Sequence, residues 1–176
     1  METLVSNKQD IVLQYFLRHP TQVVHLRELS RKLKISFPWV RKLVLQFAKD
    51  QLLLLQKEGP LVQVRANRDN PLFLGLKRSY NLFSLYKCGL IEALVESYGH
   101  PEALILFGSY ARGEDSETSD IDLAIISQKH PHLELLPFEK KLQRKIHLKE
   151  LEKANINKEF LTTLANGLVL SGYLEL

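Results

Sequence analysis

The fold turns on Leu106-Phe107-Gly108-Ser109-Tyr110-Ala111-Arg112-Gly113, followed by Ser119-Asp120-Ile121-Asp122. Ala103 to Phe107 is a short apolar run of strand type, broken by Gly108-Ser109. A polar, acidic loop from Glu114 to Ser119 leads into Asp120-Ile121-Asp122-Leu123-Ala124-Ile125-Ile126. That segment alternates at first and then becomes wholly apolar, which reads as a second strand. A strand that ends in Gly-Ser and opens a helical turn exposes backbone N–H groups, and glycine lets a phosphate approach the main chain. The Ser109 hydroxyl adds one donor. Asp120 and Asp122 stand two apart on a strand, so both carboxylates project from one face, roughly 6.5–7 Å apart along it. Two hard oxygen ligands so placed suit Mg²⁺ beside phosphates held at the Gly-Ser turn.

This pattern resembles the minimal nucleotidyltransferases of the DNA polymerase β superfamily, whose motif is Gly-Ser, ten residues, then Asp-x-Asp. The spacing matches, because residues 110–119 separate Ser109 from Asp120. The resemblance covers about Pro101 to Leu176, including a tail in which a helix ends at Gly167 and Leu168 onward runs extended. It implies a small mixed sheet flanked by helices. It implies a nucleoside triphosphate substrate held by Gly108, Ser109 and Arg112, with Mg²⁺ or Mn²⁺ on the catalytic pair Asp120 and Asp122. It also implies transfer of a nucleotidyl group, AMP in the first instance, to a hydroxyl on a partner. Members of this class are often the antitoxin halves of pairs with helical HEPN-type RNases, some of which they nucleotidylate on tyrosine.

In the superfamily a third carboxylate on the next strand normally completes the two-metal site. The strand expected here is Lys145-Ile146-His147-Leu148-Lys149, after a helix around Pro137 to Gln143, and the slot between Ile146 and Leu148 holds His147. Imidazole can act as a base near its pKa, but it is a poorer Mg²⁺ ligand than a carboxylate. Glu150, an odd number of residues away, points to the other face of a continuous strand. Two readings stay open: a site that runs on two acidic ligands with His147, or one that binds nucleotide and transfers poorly. The second makes the chain a nucleotide-sensing transcription regulator with an impaired or inactive transferase domain. Antibiotic nucleotidylation fits less well, because the other half of the chain is a basic module rather than a drug-binding domain.

Outside the motif, charge divides the chain. The total is mild, +4 with a pI near 9.1. Residues 1–68 hold twelve Lys and Arg and five Asp and Glu, so +7, and the remainder carries −3. Such asymmetry points to an anionic partner for the basic part. That part reads as helix, short strand, helix, helix, hairpin. The first helix stops at His19-Pro20. Val23 to Leu26 is a short strand, and a second helix starts at Glu28. Ser36 is the N-cap of a third, with Pro38 in its first turn. Leu52 to Gln56 and Leu61 to Arg65 flank the turn Lys57-Glu58-Gly59-Pro60 as a hairpin. The order resembles the winged helix-turn-helix of prokaryotic transcription regulators over residues 5–68. It implies a recognition helix from Ser36 to Asp50 presenting Trp39, Arg41, Lys42 and Gln46 to the major groove of double-stranded DNA, with Lys57 and Arg65 on phosphates.

The expected fold class is therefore α+β: a winged helix at 1–68, a helical connector at 69–100 and a small mixed-sheet nucleotidyltransferase domain at 101–176. Helix-turn-helix proteins usually read two half-sites, so a homodimer is expected. One cysteine, Cys88, allows no intramolecular disulfide and fits a reducing cytosol. The longest aliphatic run, Leu52 to Leu55, is far shorter than the ~20 residues that span a bilayer, and Met1 to Asp10 has no signal-type apolar run. A cytoplasmic protein with no membrane partner is expected. His130 and His132 flank Pro131 without further ligands at zinc spacing, and the run Lys140, Lys141, Arg144, Lys145 reads as a solvated face.

Overall fold

The computed structural model describes residues 8–59 and 61–175. The expected module at 1–68 thus falls partly, at residues 1–7 and Pro60, outside the described residues, as does Leu176 of the C-terminal one. Backbone contacts divide the chain into two units that meet in sequence between Lys77 and Arg78.

The first unit opens with α1 (Lys8–Arg18), which ends just before His19-Pro20. The two-residue strand β1 (Val24–His25) leads directly into α2 (Leu26–Leu33), so the second helix begins two residues earlier than expected and the strand is shorter. Leu26 and Leu29 are buried, and it is this apolar anchoring that extends the helix backwards. Ser30 locks the following turn: its hydroxyl donates to the Ile35 carbonyl at 2.6 Å while its own carbonyl accepts from the Ile35 N–H at 3.2 Å. Lys34 takes the left-handed conformation there, with φ 55°.

The helix α3 (Phe37–Lys49) follows. Ser36 occupies its N-cap position with Pro38 in the first turn, but the Ser36 hydroxyl makes no capping bond. Only its carbonyl serves, accepting from the Val40 N–H at 3.0 Å. Val40, Leu43 and Val44 are buried on one face, each worth about 1.5–3 kcal/mol relative to exposure. The strands β2 (Leu53–Glu58) and β3 (Leu61–Ala66) pair antiparallel, and β1 joins the far edge of β3 through Val24 opposite Val64. The sheet order is β1-β3-β2.

Asn70-Pro71 opens a helix rather than a turn. The Asn70 side-chain oxygen accepts from the Leu72 N–H at 2.8 Å, and Pro71 takes the first position of α4 (Pro71–Lys87), where a missing N–H costs nothing. The Asn67 and Asn70 amides both donate to the Gln51 carbonyl, at 2.8 and 3.2 Å. The chain breaks at Gly89, in the left-handed region at φ 83°, and resumes as α5 (Leu90–Ser97).

In the second unit β4 (Ala103–Phe107), α6 (Gly108–Arg112), β5 (Ile121–Ile126), α7 (Leu136–Leu142), β6 (Ile146–Leu151), α8 (Lys158–Ala165) and β7 (Leu168–Gly172) follow in order. The sheet runs β6-β5-β4-β7, with β5 and β6 parallel and the other pairs antiparallel. Leu104, Leu106, Leu123 and Ile125 pack on one side with Leu90, Ile91, Leu94 and Tyr98 of the α5 region. Ala103, Ile105, Ala124 and Ile126 face the other way, against Leu164 of α8. Burial on both faces explains why β4, and β5 from Leu123 onward, read as unbroken apolar runs. The expected connector at 69–100 accordingly differs from the structure: α5 is part of this core. Periodicity identifies an apolar helix but cannot say which core it serves.

Candidate active site

Strand register assembles the site. Phe107, the last residue of β4, stands opposite Asp122 on β5, and Asp122 stands beside His147 on the parallel neighbour β6. The three therefore form one rung across the sheet. Gly108 turns the chain out of β4 at φ 74°, and a Cβ there would lie 2.4 Å from the Asp122 Oδ2. A side chain there would need a left-handed backbone and would displace Asp122, so the Gly-Ser turn lies directly against the carboxylate.

His147 ties the two aspartates together, with Nε2 3.6 Å from Asp120 Oδ2 and Nδ1 3.8 Å from Asp122 Oδ1. Both carboxylates thus face the same imidazole, although Asp120 precedes β5 by one residue instead of lying on the strand as expected. Burial pushes the Asp122 carboxyl above its ordinary range; His147 opposes that shift and the neighbouring Asp120 adds to it. The imidazole is the most exposed of the three, 65% against 39% for Asp120 and 31% for Asp122. Glu150 belongs to the other face of β6, where it accepts from the buried Tyr98 hydroxyl and lies 3.5 Å from His130.

The remaining expected residues fall less close to this rung. Ser109 is half-buried in the first turn of α6. Arg112 ends that helix and pairs with Glu114 at 2.7 Å on the surface. Lys149, two residues beyond His147, lays its ammonium 3.9 Å from the centre of the Phe160 ring, which in turn meets Phe107 edge-on at 5.5 Å. Of the basic run, Lys145 lies 3.4 Å from Glu139 and Lys141 donates to the Cys88 carbonyl. Glu139 also accepts from the Ile146 backbone N–H at 2.9 Å, fixing the start of β6.

Sequence reading missed two buried polar residues behind the site. Asn81 of α4 donates to the Tyr110 carbonyl at 2.9 Å and to Asp115 Oδ1 at 2.7 Å. Asp115 is fully buried in what reads as an ordinary acidic loop. No local signal distinguishes it from Glu114 or Glu117, because a partner 34 residues away helps to make its burial tolerable.

In the first unit, Trp39, Arg41, Lys42 and Gln46 all lie on the exposed side of α3, opposite Val40, Leu43 and Val44. The Lys42 ammonium sits 5.2 Å from the centre of the Trp39 ring. Lys57 and Arg65 are exposed on the hairpin strands.

The donor set at the rung suits a hard divalent cation through Asp120 and Asp122, with imidazole in the third position. Among the described residues no group of three or more His, Cys, Asp or Glu is gathered in metal-holding geometry. Among them, too, no helix is long and apolar enough to cross a membrane. Residues 90–171 match the family model described as Polymerase beta, Nucleotidyltransferase. The matched segment contains Gly108-Ser109, Asp120, Asp122 and His147, and it begins at α5 rather than after it. The match supports nucleotidyl transfer from a nucleoside triphosphate, with a divalent metal. No curated protein matches the chain.

Proposed function

We propose that the chain is a cytoplasmic, metal-dependent nucleotidyltransferase carrying its own DNA-binding module, and that it works as a homodimer. It transfers a nucleotidyl group, AMP in the first instance, to a hydroxyl of a HEPN-type toxin partner. The observation that carries the reading is the rung of Asp122 and His147 beside Gly108, inside a segment matched to nucleotidyltransferases. Asp120 and Asp122 would hold Mg²⁺ or Mn²⁺, which when bound supplies charge neutralisation for the triphosphate. Gly108 keeps the main chain clear so that phosphate can approach the turn, and Ser109 and Arg112 bind phosphate oxygens. Arg112 reaches them by leaving Glu114, an exposed pair that costs little to open. The acceptor oxygen bonds to the α-phosphorus, the bond to the pyrophosphate leaving group breaks, and His147 takes the acceptor's proton.

The first unit supports the DNA reading through its element order and through one helix face that combines Trp39, Arg41, Lys42 and Gln46. Lys57 and Arg65 supply phosphate contacts from the hairpin. Such a module suits a toxin–antitoxin gene pair that represses its own transcription.

A second reading, a nucleotide-sensing regulator, draws on His147 itself, which occupies the place beside Asp122 where a carboxylate would complete a two-metal site. The test is incubation of labelled ATP, GTP, CTP and UTP with Mg²⁺ or Mn²⁺ and the protein encoded next to this chain. Label that depends on Asp120 supports transfer. Nucleotide binding without label, with turnover appearing in His147→Asp, supports sensing.

A further inference from the structure

We infer that Asn81 is a positioning residue of the site, which holds the start and the middle of the ten-residue spacer between Ser109 and Asp120 from behind. The inference rests on the transferase reading above. The Asn81 side chain is 1% exposed. Its amide nitrogen donates to the Tyr110 carbonyl, one residue after Ser109, and to the Asp115 carboxylate, five residues before Asp120. An amide group has two N–H donors, and here each has an acceptor. The assignment of nitrogen over oxygen follows, since both partners only accept.

The two bonds do different work. The short helix α6 closes on the Gly113 and Glu114 N–H groups, which donate to the Tyr110 and Ser109 carbonyls at 3.4 and 3.0 Å. Asn81 adds a second donor to the Tyr110 carbonyl, and Arg78, three residues earlier on the same face of α4, donates to the Ala111 carbonyl at 3.2 Å. The phosphate-facing turn is thereby fixed to a long helix. The bond to Asp115 pins the loop just upstream of the aspartates, and the loop closes on itself where the Ser116 N–H donates to the Ser119 hydroxyl at 2.9 Å. Asp115 in turn lies close enough to Tyr110 that burial, reinforced by its charge, pushes the Tyr110 phenol up. One side chain thus sets how far the Gly-Ser turn stands from Asp120 and Asp122. A misplacement of about 1 Å at such a site costs on the order of a hundredfold in rate.

Asn81→Asp preserves volume and reverses the bonding, setting a carboxylate against a carbonyl and the Asp115 carboxylate. The reciprocal swap, Asn81→Asp with Asp115→Asn, puts the donor on the loop side and restores that bond but not the one to Tyr110. The experiment measures Mn²⁺-triphosphate affinity by calorimetry, turnover, and thermal unfolding in the full chain. Leu85→Val, a trimmed core residue on the same helix, is the control for lost stability. Expected are a fall in turnover of about a hundredfold for Asn81→Asp, partial recovery in the swap, and near-normal turnover in Leu85→Val at similar stability. Turnover that tracks stability alone across all variants overturns the inference and leaves the transferase reading standing. A wild-type chain that neither binds nor transfers nucleotide overturns both, and a folded Asn81→Ala with normal turnover overturns the inference if Asn81→Asp fails to fold.

Discussion

In the second unit the residues with chemical promise come from three strand ends and meet at one rung, His147 lying 3.6 and 3.8 Å from the two aspartates. In the first unit the promising residues spread over one helix face and a hairpin, and what they share is exposure. The difference matters because convergence is demanding. Asp120, Asp122, His147 and Gly108 must satisfy strand register, a positive φ and a carboxylate within 2.4 Å of where a Cβ would be. A basic face needs only an amphipathic helix. The second site can be broken by single atoms, the first only by removing charge.

The largest expected effect tests that contrast. Asp122→Asn should cut nucleotidyl transfer by about a hundredfold or more while leaving affinity for DNA unchanged, as read by label incorporation and a binding titration on the same preparation. Equal losses in both would erase the distinction between the two regions. Gly108→Ala comes next. The new methyl must take a left-handed backbone and displace Asp122, so we expect about 1–2 kcal/mol lost from backbone strain and a fall in turnover beyond it. Unfolding curves and initial rates separate the two parts.

Arg41→Ala combined with Lys42→Ala should weaken DNA binding at least about tenfold and relax its sequence preference, with transfer untouched. Affinity that is insensitive both to salt and to this pair would remove the first unit's assigned role. The smallest effect concerns the support of β6. The Ile146 N–H, and then Lys145, hold Glu139 below the ordinary carboxylate range. A lowered folded-state pKa lends stability that is complete above the unfolded value and is lost as pH falls through the folded one. Glu139→Gln should therefore lower the Tm slightly at neutral pH, and the gap to the wild type should close as the pH falls through and below the ordinary carboxylate range. A gap that persists in acid would mean packing, not charge, holds this corner.

Much of this molecule can be read along the chain. The strands β4 and β5, the glycine turn and the paired aspartates are local features, because a two-residue period and a Gly-Ser break need no distant partner. The helix-ending role of Pro20 and the exposed face of α3 are legible for the same reason. Asn70-Pro71 reads along the chain as a turn, and the bond from the Leu72 N–H to the Asn70 side chain shows it to be a helix start.

What only the tertiary structure decided is which of these features meet. Parallel pairing of β5 with β6 sets His147 beside Asp122, although 24 residues lie between them in sequence. Packing assigns α5 to the sheet and not to a connector. Asn81 and Asp115 are ordinary polar residues in the sequence, and burial turns them into a pair, because a polar group taken from water must find its partner inside. Local chemistry therefore settles what each segment can form. Register and burial, which act between segments distant in sequence, settle what those segments can do together.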